Sequence, residues 1–155
     1  MSKIISKFTK VYTDYRKGLL ILLFKRGKVL NLGCGNLKIP NALNLDKNPE
    51  VNPDIVYDLE KLPLPFKDKE FDVVFAFDVI EHIRNAPELI KEVERISKRS
   101  VWTCLDFDKA KENWLNDKTH VFYINKKIWN DIFPREKYFT LSFGKFLISV
   151  SDKSF

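Results

Sequence analysis

Apolar residues recur at helical spacing near the start of the chain. Ile4, Phe8, Val11, Tyr12, Tyr15 and Leu19 share one face, and Lys3, Lys7, Lys10 and Lys17 lie mostly opposite. Gly18 weakens a single continuous helix there, and Gly27 ends the apolar run that follows. The pattern then shortens. Lys28 to Leu32, Asn41 to Leu45 and Asp54 to Tyr57 each predict a short strand. Phe71 to Phe77, FDVVFAF, is almost continuously apolar, as in a parallel strand covered on both faces. Asn85 is placed to cap a helix, with Pro87 in its first turn and Leu89, Ile90, Val93 and Ile96 on its apolar face. Ser100 to Leu105 predicts the next strand, Asn113 to Thr119 a loop, and Asn125 to Phe133 a short helix stopped by Pro134. Lys137 to Phe143 and Lys145 to Val150 flank Gly144 as an antiparallel hairpin.

Strand, connection and helix therefore alternate, which predicts an α/β sheet with crossover connections closed by a C-terminal hairpin. Ligands in such sheets bind at the carboxyl ends of the strands. Gly33-Cys34-Gly35, Asp46, Asp58 and Asp78 all fall at those ends. Two glycines after a strand let the backbone turn tightly against a ligand. A carboxylate at the tip of the next strand, Asp46, suits the two hydroxyls of a ribose. The dinucleotide fingerprint does not fit, because Lys38 stands where its third glycine belongs and Pro40 shortens the connection to Asp46. The pattern favours a ligand with a ribose and no pyrophosphate.

Charge refines this picture. Residues 1–30 carry eight basic residues and one acid, residues 31–90 carry six and eleven, and residues 91–155 carry thirteen and nine. The basic character belongs to the two ends, where nucleic acid or an anionic surface is a candidate partner and a solvated lysine-rich face is the plainer account. The longest apolar run, Leu19 to Phe24, is far too short to span a membrane, and no signal-peptide order appears at the start. Cys34 and Cys104 lie far apart and suggest neither a disulfide framework nor a zinc spacing, so a reduced, cytoplasmic protein is expected.

The run VLNLGCGNLKIPNALNLD, followed by DIVYDLEKLPLPFKDKEFDVVFAFDVIEHI, resembles the class I S-adenosylmethionine-dependent methyltransferases, in particular the small type 11-like group. THVFYINKKIWNDIF resembles more loosely the segment before that family's last helix. The resemblance implies a Rossmann-like, doubly wound, mostly parallel seven-stranded sheet with a C-terminal antiparallel hairpin. It implies S-adenosyl-L-methionine as cofactor, with Asn31, Leu32, Gly33, Cys34 and Gly35 cradling the methionine part. Asp46 would hold the ribose, Asp58 and Leu59 would flank the adenine, and Asp78 and Val79 would lie at the methionine end. Glu81 and His82 match the family's EH pair. The chain departs from the commoner pattern at Asn31, where an acid is usual, and in the short connection from Gly35 to Asp46.

A single domain over residues 28–155 is expected to carry the site. Residues 1–27 form a basic amphipathic segment, read as a lid or acceptor-recognition element or, alternatively, as a surface anchor. His82 is a candidate general base or a packed helix-start residue, and Asp106 is a second candidate or a loop acid. His120 and Trp102, Trp114 and Trp129 are expected in structural roles, and Cys34 is suited to a tight loop by size. With two histidines and no cysteine cluster, no metal site is expected. The leading function is methyl transfer to an unidentified small-molecule or macromolecular acceptor. The alternative is a non-catalytic member of the fold acting as a cofactor-binding or partner subunit. A nucleic-acid-binding module ranks third, for want of an aromatic RNA-binding signature.

Overall fold

A computed structural model describes residues 15–151. Seven strands, β1 (Val29–Leu32), β2 (Leu43–Asp46), β3 (Ile55–Val56), β4 (Phe71–Phe77), β5 (Ser97–Leu105), β6 (Tyr138–Phe143) and β7 (Phe146–Ser151), form one sheet of order β3-β2-β1-β4-β5-β7-β6. β1 to β5 pair in parallel, and β7 runs antiparallel to both β5 and β6. The pattern predicts the crossover-connected α/β sheet and its C-terminal hairpin, and the doubly wound, mostly parallel seven-stranded arrangement is the one the family resemblance implies. Strand order reverses between β1 and β4, the switch point at which such sheets bind ligands.

β4 sits centrally, and every side chain in it except Asp72 is buried, which explains its unbroken apolar sequence. One face of the sheet packs against α2 (Ala86–Ile96), whose Leu89, Ile90, Val93 and Ile96 point inward. The same face takes Trp114 of α3 (Lys111–Asn116), and Trp129 of α4 (Lys126–Ile132) with Phe133 just beyond it. The other face is thinner. Leu20, with Ile21 and Phe24 beside it, comes from α1, a helix over residues 15–24, and meets Val73, Phe75, Phe77 and Ile148. Ile39 and Leu37 of the β1–β2 connection complete that layer.

Four local expectations need correction. β5 begins at Ser97 and not Ser100, because the polar SKRS stretch pairs with β4 from Phe71↔Ser97 onward. Arg99 is buried there, its guanidinium 5.9 Å from the ring centre of Phe24. The loop expected from Asn113 begins as the end of α3, anchored by buried Trp114. Asn85 makes no side-chain capping bond to α2, whereas Asn125 caps α4 by accepting from the Ile128 N–H at 3.1 Å. Gly18 does not interrupt α1, whose residues 15–24 are continuous helix. The helical register expected for residues 4–12 lies outside the described residues.

Candidate functional site

A cleft of about 280 Å³ opens at the carboxyl ends of the central strands. That is near the lower end of small-ligand pockets, roughly 300 Å³ upward. Gly33, Asp46, Lys47, Asp58, Leu59, Glu60, Asp78, Val79, His82, Ile83 and Thr119 line it. The sequence-derived Gly33, Asp46, Asp58, Leu59, Asp78, Val79 and His82 thus converge, although they arise from four separate connections.

The β1 turn is shaped for close approach. Gly33 has φ +63°, and a Cβ on it would sit 2.7 Å from Val79 Cγ2. A side chain there meets both backbone strain and a clash. The Gly35 N–H donates to Asp46 Oδ2 at 2.8 Å, so the β2 carboxylate faces the glycine turn. Its other oxygen accepts from the Asn48 N–H at 2.9 Å. Asp58 Oδ1 accepts from the Glu60 N–H at 3.1 Å, and Glu60 Oε1 from the Arg84 N–H at 3.0 Å, bracing the far wall.

Asn31, Leu32, Cys34 and Gly35 lie behind the lining rather than in it. Buried Asn31 donates through Nδ2 to Leu37 O at 2.7 Å and to Asn44 Oδ1 at 3.0 Å. Its amide thereby ties down the short β1–β2 connection. Asn44 is the hub of that connection and was not singled out from sequence. It accepts from the Ile39 N–H at 2.9 Å and donates to Ala42 O at 3.1 Å and Asp54 Oδ2 at 2.9 Å. An Asn followed by Leu and Asp in a strand carries no local signal for this role. Lys38 Nζ closes the turn on Cys34 Sγ at 3.1 Å and Gly35 O at 3.0 Å.

Asp78 follows β4 with φ +55°. Its carboxylate accepts from Thr103 Oγ1 at 2.8 Å and pairs with Arg16 Nη2 at 3.2 Å and Lys17 Nζ at 2.9 Å, both from α1. Burial alone would raise its pKa, but Lys17 and Arg16 outweigh that and hold it below the usual carboxylate range. Arg16 also stacks 3.7 Å over the Phe146 ring, and its Nε and Nη1 are buried without hydrogen-bond partners. α1 therefore reaches the methionine end of the expected site.

Beyond Asp78, the 3-10 turn Ile80–His82 brings in Glu81, only 1 % exposed. Burial, then the nearby Asp78 charge, pushes its carboxyl up to about 8. Burial also lowers His82, which is half-buried and contacts Thr119 Oγ1 through Nδ1 at 2.9 Å. Asp106 sits elsewhere: buried after β5, it accepts from the Asp108 N–H at 3.2 Å and lies outside the cleft lining. Among the described residues, the group whose ligand atoms come close enough to share a cation is Glu81, His82 and His120, all within 4.8 Å of one another. No sequence spacing links His120 to the other two.

Residues 30–105 match the family model described as a methyltransferase domain. With that match and the strand order above, the chain carries a methyltransferase domain on the class I fold. Among solved structures, it resembles an S-adenosylmethionine-dependent methyltransferase from Archaeoglobus fulgidus, with TM-score 0.73 and 12% identity, over 93% of this chain and 94% of that one. PH0226 from Pyrococcus horikoshii aligns with TM-score 0.68 at 18% identity, over 93% and 90% of the two chains. A methyltransferase from Haloferax volcanii, solved in complex with the Trm112 methyltransferase activator, aligns with TM-score 0.61 at 14% identity over 81% of each. At such identities these likenesses speak for the fold. No curated protein matches the chain in sequence. No helix among the described residues is long and apolar enough to cross a membrane.

Proposed function

We propose that this chain binds S-adenosyl-L-methionine in the cleft and transfers its methyl group to an acceptor that enters beneath α1. The observation that carries the reading is Asp46, whose carboxylate is turned onto the Gly35 N–H beside a strand-end cleft. The residues present fit the group. Gly33 leaves a cradle that a Cβ would fill, and Asp46 keeps lone pairs for two vicinal hydroxyls. Asp58 would accept from the adenine amine, Leu59 and Ile83 would pack on the ring, and Asp78 and Val79 would bound the methionine end. The cofactor supplies an electrophilic methyl carried on a positively charged sulfur. The chain's task is then to orient the acceptor in line with that methyl and to exclude water, which supplies much of the acceleration.

α1 roofs the site in this reading. Arg16 and Lys17 latch it to Asp78, and Leu20 roots it in the core. Exposed Leu19, Leu22 and Leu23, with the cations Lys25 and Arg26 beyond, leave its outer side suited to an anionic surface. Triple substitution of those leucines by serine spares the core, so liposome co-sedimentation tests the anchor separately from the lid.

Isothermal calorimetry with S-adenosylmethionine and S-adenosylhomocysteine on the full chain tests the reading. Asp46→Ala is expected to weaken both by about 100-fold, the loss of two charge-assisted hydrogen bonds worth roughly 1.5 kcal/mol each. Absence of heat with either ligand on the unsubstituted chain overturns it.

A further inference from the structure

Three potential metal ligands that are scattered in sequence meet at the edge of the cleft. Glu81 and His82 lie in the turn after β4, and His120 lies in the loop after α3. The two segments are pinned together, since Glu81 O accepts from the N–H groups of Val121 at 2.9 Å and Phe122 at 3.2 Å. The imidazole rings stand 4.7 Å apart, centre to centre.

The hydrogen bonds fix which nitrogen each ring presents. His120 Nδ1 lies 2.9 Å from Trp114 O, and a carbonyl only accepts, so Nδ1 carries the proton and Nε2 holds the lone pair. Thr119 Oγ1 donates its one proton to Asp117 Oδ1 at 2.6 Å, so its 2.9 Å contact with His82 requires His82 Nδ1–H to be the donor. His82 therefore also presents an unprotonated Nε2. Metal-binding imidazoles are oriented in this way, with the far nitrogen donating to a carbonyl or to a carboxylate-linked group. Glu81 adds a carboxyl group whose Oε2 is buried and has no hydrogen-bond partner, and which gives up its proton when a cation binds. One nitrogen of each ring and one Glu81 carboxyl oxygen lie within 4.8 Å of one another. Bonds of about 2.1 Å bring tetrahedral ligands to about 3.4 Å, a closure that modest side-chain rotations supply.

We propose that Glu81, His82 and His120 bind a divalent first-row transition ion, open toward the cleft, where it takes an oxygen of the methyl acceptor. Two imidazoles and one carboxylate suit zinc, manganese, iron or cobalt, and three protein ligands leave positions for water or substrate. His82 and Thr119 line the cleft, so those positions face the ligand. The role of the ion rests on the methyltransferase reading, while its binding does not. An acceptor hydroxyl coordinated there loses its proton to water. Its freed electron pair then forms the bond to the methyl carbon as the carbon–sulfur bond breaks and leaves a neutral thioether.

The full chain, dialysed against chelator, is titrated with zinc alone by calorimetry and with cobalt alone by visible absorption. Stoichiometric binding and cobalt ligand-field bands are expected. His120→Ala and Glu81→Gln should each weaken zinc by at least about 100-fold, the upper end of what outer-shell partners alone cost. Thr119→Val, at an exposed position, should weaken it by about tenfold and guards against a ligand variant that fails to fold. Asp46→Ala should lose the cofactor and keep the metal, so the two readings fail separately. Lack of zinc and cobalt binding by the unsubstituted chain, or equal affinity in the His120→Ala and Thr119→Val variants, overturns the proposal.

Discussion

The two faces of the sheet are covered to different depths. One carries α2, α3 and α4 and a cluster that includes Trp102, Trp114, Trp129, Phe133 and Tyr138. The other carries α1 and the helix-free β1–β2 connection, with Leu20 and Ile39 as its inward anchors. The thick face has no part in the cation latch on Asp78, whereas the thin face supplies both Arg16 and Lys17. The difference separates two jobs. The thick face buries the larger apolar cluster, and the thin face carries the helix whose cations reach Asp78 at the strand ends; under the proposed function that lighter cover is the part able to lift without unfolding the domain.

The largest effect should come from the thick face. Phe133 is fully buried and its ring centre lies 4.5 Å from that of Trp129, 4.9 Å from Tyr138 and 5.5 Å from Trp102. Phe133→Ala should cost about 3–5 kcal/mol in urea unfolding with an unchanged denaturant slope. Leu20→Ala, on the thin face, should cost about 2–3 kcal/mol, because one helix can settle into the space. Amide exchange should then quicken in residues 15–24 before it does in β4. If the two substitutions cost the same and β4 opens together with α1, the faces are one cooperative unit and the distinction fails.

The strand ends were legible because their signals are local. Gly33-Cys34-Gly35 and the acids at 46, 58 and 78 each follow an apolar run, and parallel pairing brings such tips together whatever lies between. What escaped depends on partners far along the chain. The first residues of β5 are polar, and their pairing with β4 outweighs their composition. Asp106 occupies a strand end as well, yet its carboxylate turns back onto its own loop and leaves the cleft. His120 meets Glu81 and His82 because the backbone of residues 121–122 bonds to Glu81, a contact no periodicity encodes. Asn44 looks like any strand residue until the loop it braces is folded over it.

The helix-free connection also gives smaller and sharper tests of how the thin face is held. Asn44→Ala removes the acceptor for the Ile39 N–H and the donor to Ala42 O, and should cost about 1–2 kcal/mol. Thermal melting checks the cost, and weaker S-adenosylhomocysteine binding by the same variant would tie the loop to the glycine turn it supports. The least effect belongs to Asp54, which accepts from the Asn44 N–H at 2.7 Å and from its side-chain amide at 2.9 Å. The Asn44 backbone bond, then its side-chain bond, hold Asp54 below the usual carboxylate value. A folded-state pKa below the unfolded one contributes stability that is complete above the unfolded value and lost as pH falls through the folded one. Asp54→Asn keeps an acceptor oxygen and deletes the charge. The variant should therefore melt slightly below the parent at neutral pH and draw level with it progressively as acidification passes below the ordinary aspartate value, about 3.9. A gap that stays constant over that range would assign the loss to geometry. The carboxylate charge would then contribute nothing to holding the thin face, whose connection would rest on the Asn31 and Asn44 amides and on Lys38.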